Sequence, residues 1–133
     1  MFSFKRRIGN KAEALVLDYL KQQGLSLITQ NYLTKLGEID IIMLDKSVDT
    51  LVFVEVRYRK DTSYGTALET VTLSKQRKLI HASQLYLQKH PECQHFLCRF
   101  DVVGVESDLK CPTITWIQSA FELKGRLWKK QYY

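Results

Sequence analysis

GEIDIIML (Gly37–Leu44) and LVFVEVRYR (Leu51–Arg59) stand on either side of a polar break, DKSVD (Asp45–Asp49), and the rest of the chain is read from them. Both runs are rich in aliphatic and β-branched residues, which suit a pleated, half-buried surface. A polar loop of this length joins neighbouring antiparallel strands. Side chains alternate between sheet faces, so Glu38, Asp40 and Ile42 are expected on one face, with Ile39, Ile41 and Met43 on the other. In the second run Phe53, Glu55, Arg57 and Arg59 share a face, opposite Val52, Val54, Val56 and Tyr58. Pairing through the loop sets Asp40 roughly across from Glu55. Cross-strand neighbours have Cβ atoms about 4.5–5.5 Å apart, so two such carboxylates can share a Mg²⁺ whose ligands lie at about 2.0–2.1 Å. Acids set among strand aliphatics call for a cation to neutralise them. The alternative is a pair of amphipathic strands whose acids face water.

Upstream, Ile8 to Gln23 has a helical period, with Ala12, Leu15, Val16, Tyr19 and Leu20 as one buried stripe. Gly24 stands where a helix-terminating glycine belongs. Glu13 lies beside the stripe, partly buried and aimed at whatever the helix packs on, or else paired at its edge with Lys11. Leu25–Tyr32 is a strand, and Leu33–Leu36 a turn. Downstream, Thr72 or Ser74 caps a helix running to Lys89, with Leu79, Ala82, Leu85 and Tyr86 inward and Ile80 and Leu87 at the flank. Lys75 and Lys78 border its inner face near the N-terminal end, and Pro91 ends it. Phe96–Glu106 is a fourth strand, joined to the third by a helical crossover and therefore parallel to it. Asp101 is expected to pair with Arg99. A short strand, Thr113–Ile117, closes a single domain over residues 1–121. Residues 122–133 form a tail in which Lys124, Arg126, Lys129 and Lys130 interleave with Trp128, Tyr132 and Tyr133, a mixture that can grip a single strand by charge and stacking.

The 133 residues fit one domain with a sizeable core. A net charge of +6 favours polyanions such as nucleic acid, or a membrane surface. The three cysteines, Cys93, Cys98 and Cys111, have no metal-site spacing, and a reduced, cytoplasmic protein is expected. In MFSFKRRIGNKAEALVL, Asn10, Lys11 and Glu13 interrupt any apolar run, so neither a signal peptide nor a membrane span is expected.

The order helix, three strands, helix, strand gives an α/β fold with an αβββαβ core, a mixed β-sheet flanked by helices. With acids on the first helix and on the second and third strands, the chain resembles the restriction-endonuclease-like PD-(D/E)xK nuclease superfamily. More closely, it resembles the YraN-like family of bacterial proteins. The resemblance rests on Gly9, Glu13, Tyr19-Leu20, Asn31, Gly37-Glu38-Ile39-Asp40, Phe53-Val54-Glu55-Val56, Arg59, Gly65, Lys75 and Phe100-Asp101-Val102-Val103. It implies a fold shared with Holliday-junction resolvases and restriction enzymes, and a metal-dependent nuclease site. Asp40 and Glu55 would then be the principal ligands of Mg²⁺ or Mn²⁺, and Glu13 would assist the metal or its water. Resolvase-like relatives act as symmetric dimers, and exposed Trp116, Phe121 or Trp128 could contribute to such a contact.

One position departs from the pattern. The superfamily motif ends in lysine, and this chain carries Arg57 there. Arginine keeps the charge and can fork onto a phosphate, but with a pKa above about 12 it is no general base. Ala12 and Val16 replace the family's usual glycine and alanine as packing changes. Three readings follow. The first is a Mg²⁺-dependent endonuclease acting on DNA, including branched or repair and recombination intermediates, with Glu13, Asp40, Glu55 and Arg57 as its catalytic set. The second is an inactive nucleic-acid-binding protein of the same fold, holding phosphates through Arg57, Arg59, Lys75 and Lys78. The third is a small α/β protein that binds another protein.

Overall fold

The turn between the two central runs is built by its own acids. Asp45 Oδ1 accepts from the Ser47 amide at 3.2 Å, and Asp49 takes a left-handed backbone (φ 46°) that returns the chain. The computed structural model describes residues 4–60, 65–106 and 110–122, with side chains from residue 9 onward. Its elements are α1 (Phe4–Gln22), β1 (Ser26–Leu33), β2 (Glu38–Asp45), β3 (Thr50–Arg59), α2 (Leu73–Lys89), β4 (Leu97–Glu106) and β5 (Thr113–Phe121). The strands form one five-stranded sheet in the order β1-β2-β3-β4-β5. β3 and β4 are parallel, as a helical crossover requires, and every other neighbouring pair is antiparallel. The fold is therefore α/β, with a mixed sheet.

The helices cover opposite faces. Ala12, Val16 and Leu20 of α1 pack on Ile41, Met43, Val52, Val54, Val103 and Val105. Leu79, Ala82, Tyr86 and Leu87 of α2 pack on Ile42, Phe53, Phe100 and Val102. On that side Phe53 stacks on Phe100 (centroids 5.5 Å), which stacks in turn on Phe121 (5.0 Å). The stripe of α2 differs from the expected one. Leu79, Ala82, Ser83, Tyr86 and Leu87 are buried, while Leu85 is only half-buried. Ser83 fills a place that the sequence reading left to apolar residues, because its hydroxyl is satisfied inside the helix by the Ile80 carbonyl at 2.6 Å. Thr72 is the cap, its hydroxyl accepting from the Lys75 amide.

β5 runs to Phe121, past the expected end at Ile117, and Asp101 explains the extension. This carboxylate is buried. It accepts from Arg99 Nε (3.2 Å), Trp116 Nε1 (2.9 Å) and the Ser119 amide (3.0 Å). Ser119 takes φ 50° there, and the β4–β5 register slips between Phe100 and Val102. Trp116 and Phe121 are half-buried by these contacts rather than freely displayed. Asp101→Ala removes one of the two carboxylates that hold the Arg99 guanidinium, whose side chain is only 14% exposed, and leaves it Asp45 at 3.4 Å; a cost of about 2–3 kcal/mol is expected. Chemical denaturation measures this; a loss below about 1 kcal/mol would show that the network is ornamental. The basic aromatic stretch from residue 123 onward, including Trp128, lies outside the described residues. Among the described residues, no helix is long and apolar enough to cross a membrane.

Candidate active site

β2 and β3 fork. Their ladder runs from Asp45 opposite Thr50 to Ile41 opposite Val54 and stops there. Beyond it β2 stays with β1, and β3 stays with β4 as far as Arg59 opposite Glu106. Asp40 is the first residue past the split. Its Oδ2 accepts the Val56 amide at 2.8 Å, supplying the acceptor that a continued ladder would have given from the backbone. Across the other edge, the register that sets Gln30 opposite Ile41 and Tyr32 opposite Ile39 sets Asn31 opposite Asp40. Asn31 sits in the left-handed region at φ 51°. The alternation of β2 breaks here: Ile39 joins Ile42 on the α2 side, whereas Ile41 and Met43 face α1. The expectation that Ile39, Ile41 and Met43 share a face is thereby corrected. A fork matters because side chains from helices on both faces can reach one point.

Two acids meet at that point, and a third comes within electrostatic reach. Asp40 and Glu55, across the split from each other, share a side-chain hydrogen bond. Burial, then the charge of Glu55, holds the Asp40 carboxyl well above the ordinary aspartate range. Glu55 is buried. Glu13 comes from α1, half-buried, and is pushed up to about 7 by burial first and then by the charges of Asp40 and Glu38. Its Oε1 is buried without a hydrogen-bond partner. Two cations answer from the α2 side: Lys75 Nζ lies 3.5 Å and Arg57 Nη1 3.6 Å from the same Glu55 oxygen, Oε2.

A divalent cation fits this donor set. Asp40 and Glu55 supply adjacent carboxylate oxygens of the kind a hard cation takes, and among the described residues Glu13 Oε1 is a buried acceptor without a donor. Among the described residues, no group of three His, Cys, Asp or Glu side chains is assembled for a metal ion. Mg²⁺ suits such a site, since it keeps several waters and is bound through one or two carboxylates plus substrate phosphate.

The sign of the Glu13 shift makes a prediction. Its folded pKa is above its unfolded value near 4.5, so the folded state binds more protons between pH 4.5 and about 7. Stability therefore falls as pH rises through that window. In metal-free buffer, Glu13→Gln is expected to melt higher than the parent at pH 8, and the gain should vanish below pH 4.5. Equal melting curves at pH 8 would contradict the burial of this acid.

The expected basic residues divide. Arg57 is about a third exposed and fixed by Thr70, donating from Nε to Thr70 Oγ1 at 2.9 Å and from Nη2 to the Thr70 carbonyl at 3.5 Å. Lys75 is brought to Glu55 by the capped first turn of α2. Lys78 is exposed, and its backbone carbonyl lies so near Gly37 that a β-carbon there would meet it at 2.6 Å. Arg59 is instead buried; it donates to the Gly65 carbonyl and pairs with Glu106 at 3.6 Å. It ties the end of the β3–β4 ladder to the loop before α2, and so does not present a guanidinium at the surface. Two residues given no role from sequence join the site: Thr70, which aims Arg57, and Asn31. Asn31 belongs to the resemblance and is of a residue type at home with positive φ, but neither signal gives it a role in the site.

Beside the fork, α1 and β1 enclose an open cavity of about 380 Å³. Glu13 and Asn31 line both the cavity and the approach to Asp40. Leu17 and Ala14 give it an apolar side.

The chain matches the model of a family described as uncharacterised protein family UPF0102 over residues 12–105. A UPF0102 protein of Coxiella burnetii (strain RSA 493 / Nine Mile phase I) is 48% identical over 124 residues, covering 93% of this chain and 99% of the relative. One from Pseudomonas syringae pv. syringae (strain B728a) is 46% identical over 121 residues, covering 90% and 97%. Another, from Alcanivorax borkumensis, is 48% identical over 118 residues, covering 88% and 93%.

Proposed function

The chain belongs to the uncharacterised protein family UPF0102, and we propose that it is a Mg²⁺- or Mn²⁺-dependent endonuclease of the PD-(D/E)xK type, hydrolysing phosphodiester bonds of DNA. The observation that carries this reading is the fork: a half-buried Asp40 against a buried Glu55, with Glu13 arriving from one face and Lys75 from the other. Asp40 and Glu55 would hold the cation. When bound, it supplies Lewis acidity toward a phosphoryl oxygen and lowers the pKa of a bound water.

The protein's own groups do the rest. Glu13, half-buried beside Asp40, is placed to accept a proton from the attacking water. Arg57 stays charged and is held by Thr70, so it steadies negative charge on the phosphoryl oxygens without taking a proton. Lys75 stands beside Glu55 as the flexible ammonium that the motif position lacks. Exposed Lys78 extends the cationic side along the DNA backbone, where each neutralised phosphate makes binding more salt-sensitive. A two-fold dimer of such sites would suit branched recombination or repair intermediates.

The test is cleavage of branched, nicked and single-stranded DNA with Mg²⁺ or Mn²⁺. Turnover by the parent that is lost in Glu55→Gln supports the reading. Salt-sensitive binding of all three substrates without cleavage would replace it with an inactive DNA-binding protein, and absence of binding at low salt would remove nucleic acid altogether.

A further inference from the structure

The cavity between α1 and β1 lies next to the fork, yet its chemistry is unlike that of the phosphate side. Its polar wall is three amides, Asn10, Gln30 and Asn31, and two carboxylates, Glu13 and Asp18. No lysine or arginine lines it among the described residues. A phosphate would meet two acids and no cation there. A neutral ring with amino donors and ring-nitrogen acceptors would meet the groups it needs, since amides donate and accept while a carboxylate accepts.

We propose that this cavity takes one unstacked nucleobase of the DNA strand, flanking the phosphate held at the fork. The proposal rests on the nuclease reading and adds its substrate preference: DNA in which a base is already free of its partner. Size agrees with this. About 380 Å³ is near the small end of ligand pockets, which span about 300–1,000 Å³, and suits a single base rather than a pair. Ala14 and Leu17 offer an apolar side against which a ring can lie. Glu13 and Asp18 bring carboxylates to the cavity wall, the acceptors that an exocyclic amine requires. Asn31, opposite Asp40 in register and held at φ 51°, puts its residue at both cavity and fork. Backbone and base then part company at the fork: Arg57, Lys75 and Lys78 serve the phosphates from the α2 side, and the base goes toward α1. Extruding a paired base costs a few kcal/mol, and an unpaired one far less, so the cavity favours branch points, mismatches and single strands.

The experiment walks a single abasic (tetrahydrofuran) position along a single-stranded oligonucleotide and measures binding in Ca²⁺ buffer. Asn31→Gly removes the amide while tolerating the left-handed backbone; Asn10→Ala, on the exposed face of α1, is a second variant that leaves the core untouched. One abasic position is expected to weaken binding by the parent about tenfold, and this penalty should shrink in both variants. A flat walk, or a penalty of unchanged size in both variants, overturns the base pocket. Cleavage with a flat walk would leave the nuclease reading standing alone. A position-specific penalty without any Mg²⁺- or Mn²⁺-dependent cleavage would keep the pocket and sink the nuclease. No DNA binding at low salt would overturn both.

Discussion

Asp40→Asn is expected to abolish DNA cleavage and, in metal-free buffer, to raise the melting temperature. Both effects come from the same carboxylate. Losing a group that organises charge at the reacting phosphate costs on the order of 10²–10³ in rate, and loss of the cation's ligand adds to that. Stability moves the other way. The parent holds a half-buried Asp40 against Glu55 and near Glu38, and its folded pKa is raised, so the folded state retains a proton that the unfolded chain releases near pH 3.8. Stability is thus lost as pH climbs above that value. Asparagine removes the charge and can still accept the Val56 amide. A gain on the order of 1–2 kcal/mol at pH 8 is expected, with none below pH 3.8. Thermal denaturation at the two pH values, beside single-turnover cleavage, reads both effects. A variant that melts lower at pH 8, or that still cuts, would contradict the site.

Lys75→Met is expected to slow cleavage on the order of 10²–10³-fold, more than Arg57→Lys does. Arg57 occupies the motif position, but Thr70 holds its guanidinium, and it cannot give up a proton. Lys75 reaches the same Glu55 oxygen at 3.5 Å from a helix on the other side of the split. Lys75→Arg separates two roles. Near-parent rates in that variant assign Lys75 to charge stabilisation; a loss as deep as in Lys75→Met, with a flattened alkaline limb of the pH–rate profile, assigns it to proton transfer. Parent-like cleavage by Lys75→Met would return the role to Arg57.

Much of this site could be read from two periodicities. Period-2 alternation and the length of DKSVD put Asp40 across from Glu55, and the 3.6-residue stripe of α1 put Glu13 at its half-buried edge. GEID with FVEV pointed to the YraN-like family, and the chain belongs to it. The fork was not legible, because alternation assumes a continuous ladder. Here the β2–β3 ladder ends at Ile41 opposite Val54, where the Asp40 carboxylate captures the Val56 amide, while the β1–β2 ladder continues past a left-handed Asn31. Arg59 reads as an exposed strand-end cation because its partners, Gly65 and Glu106, are set by the crossover through α2. The length of β5 was hidden for a similar reason: it depends on one buried carboxylate, Asp101, collecting donors from three places.

Asp40 and Glu55 are the proposed divalent-cation site at the fork. Calorimetric titration of Mn²⁺ into the parent, Asp40→Asn and Glu55→Gln tests it without reference to turnover. Saturable binding by the parent is expected, with proton release, and binding weakened at least about tenfold in each variant. Equal binding by all three proteins, or no saturable binding by the parent at millimolar Mn²⁺, would contradict it.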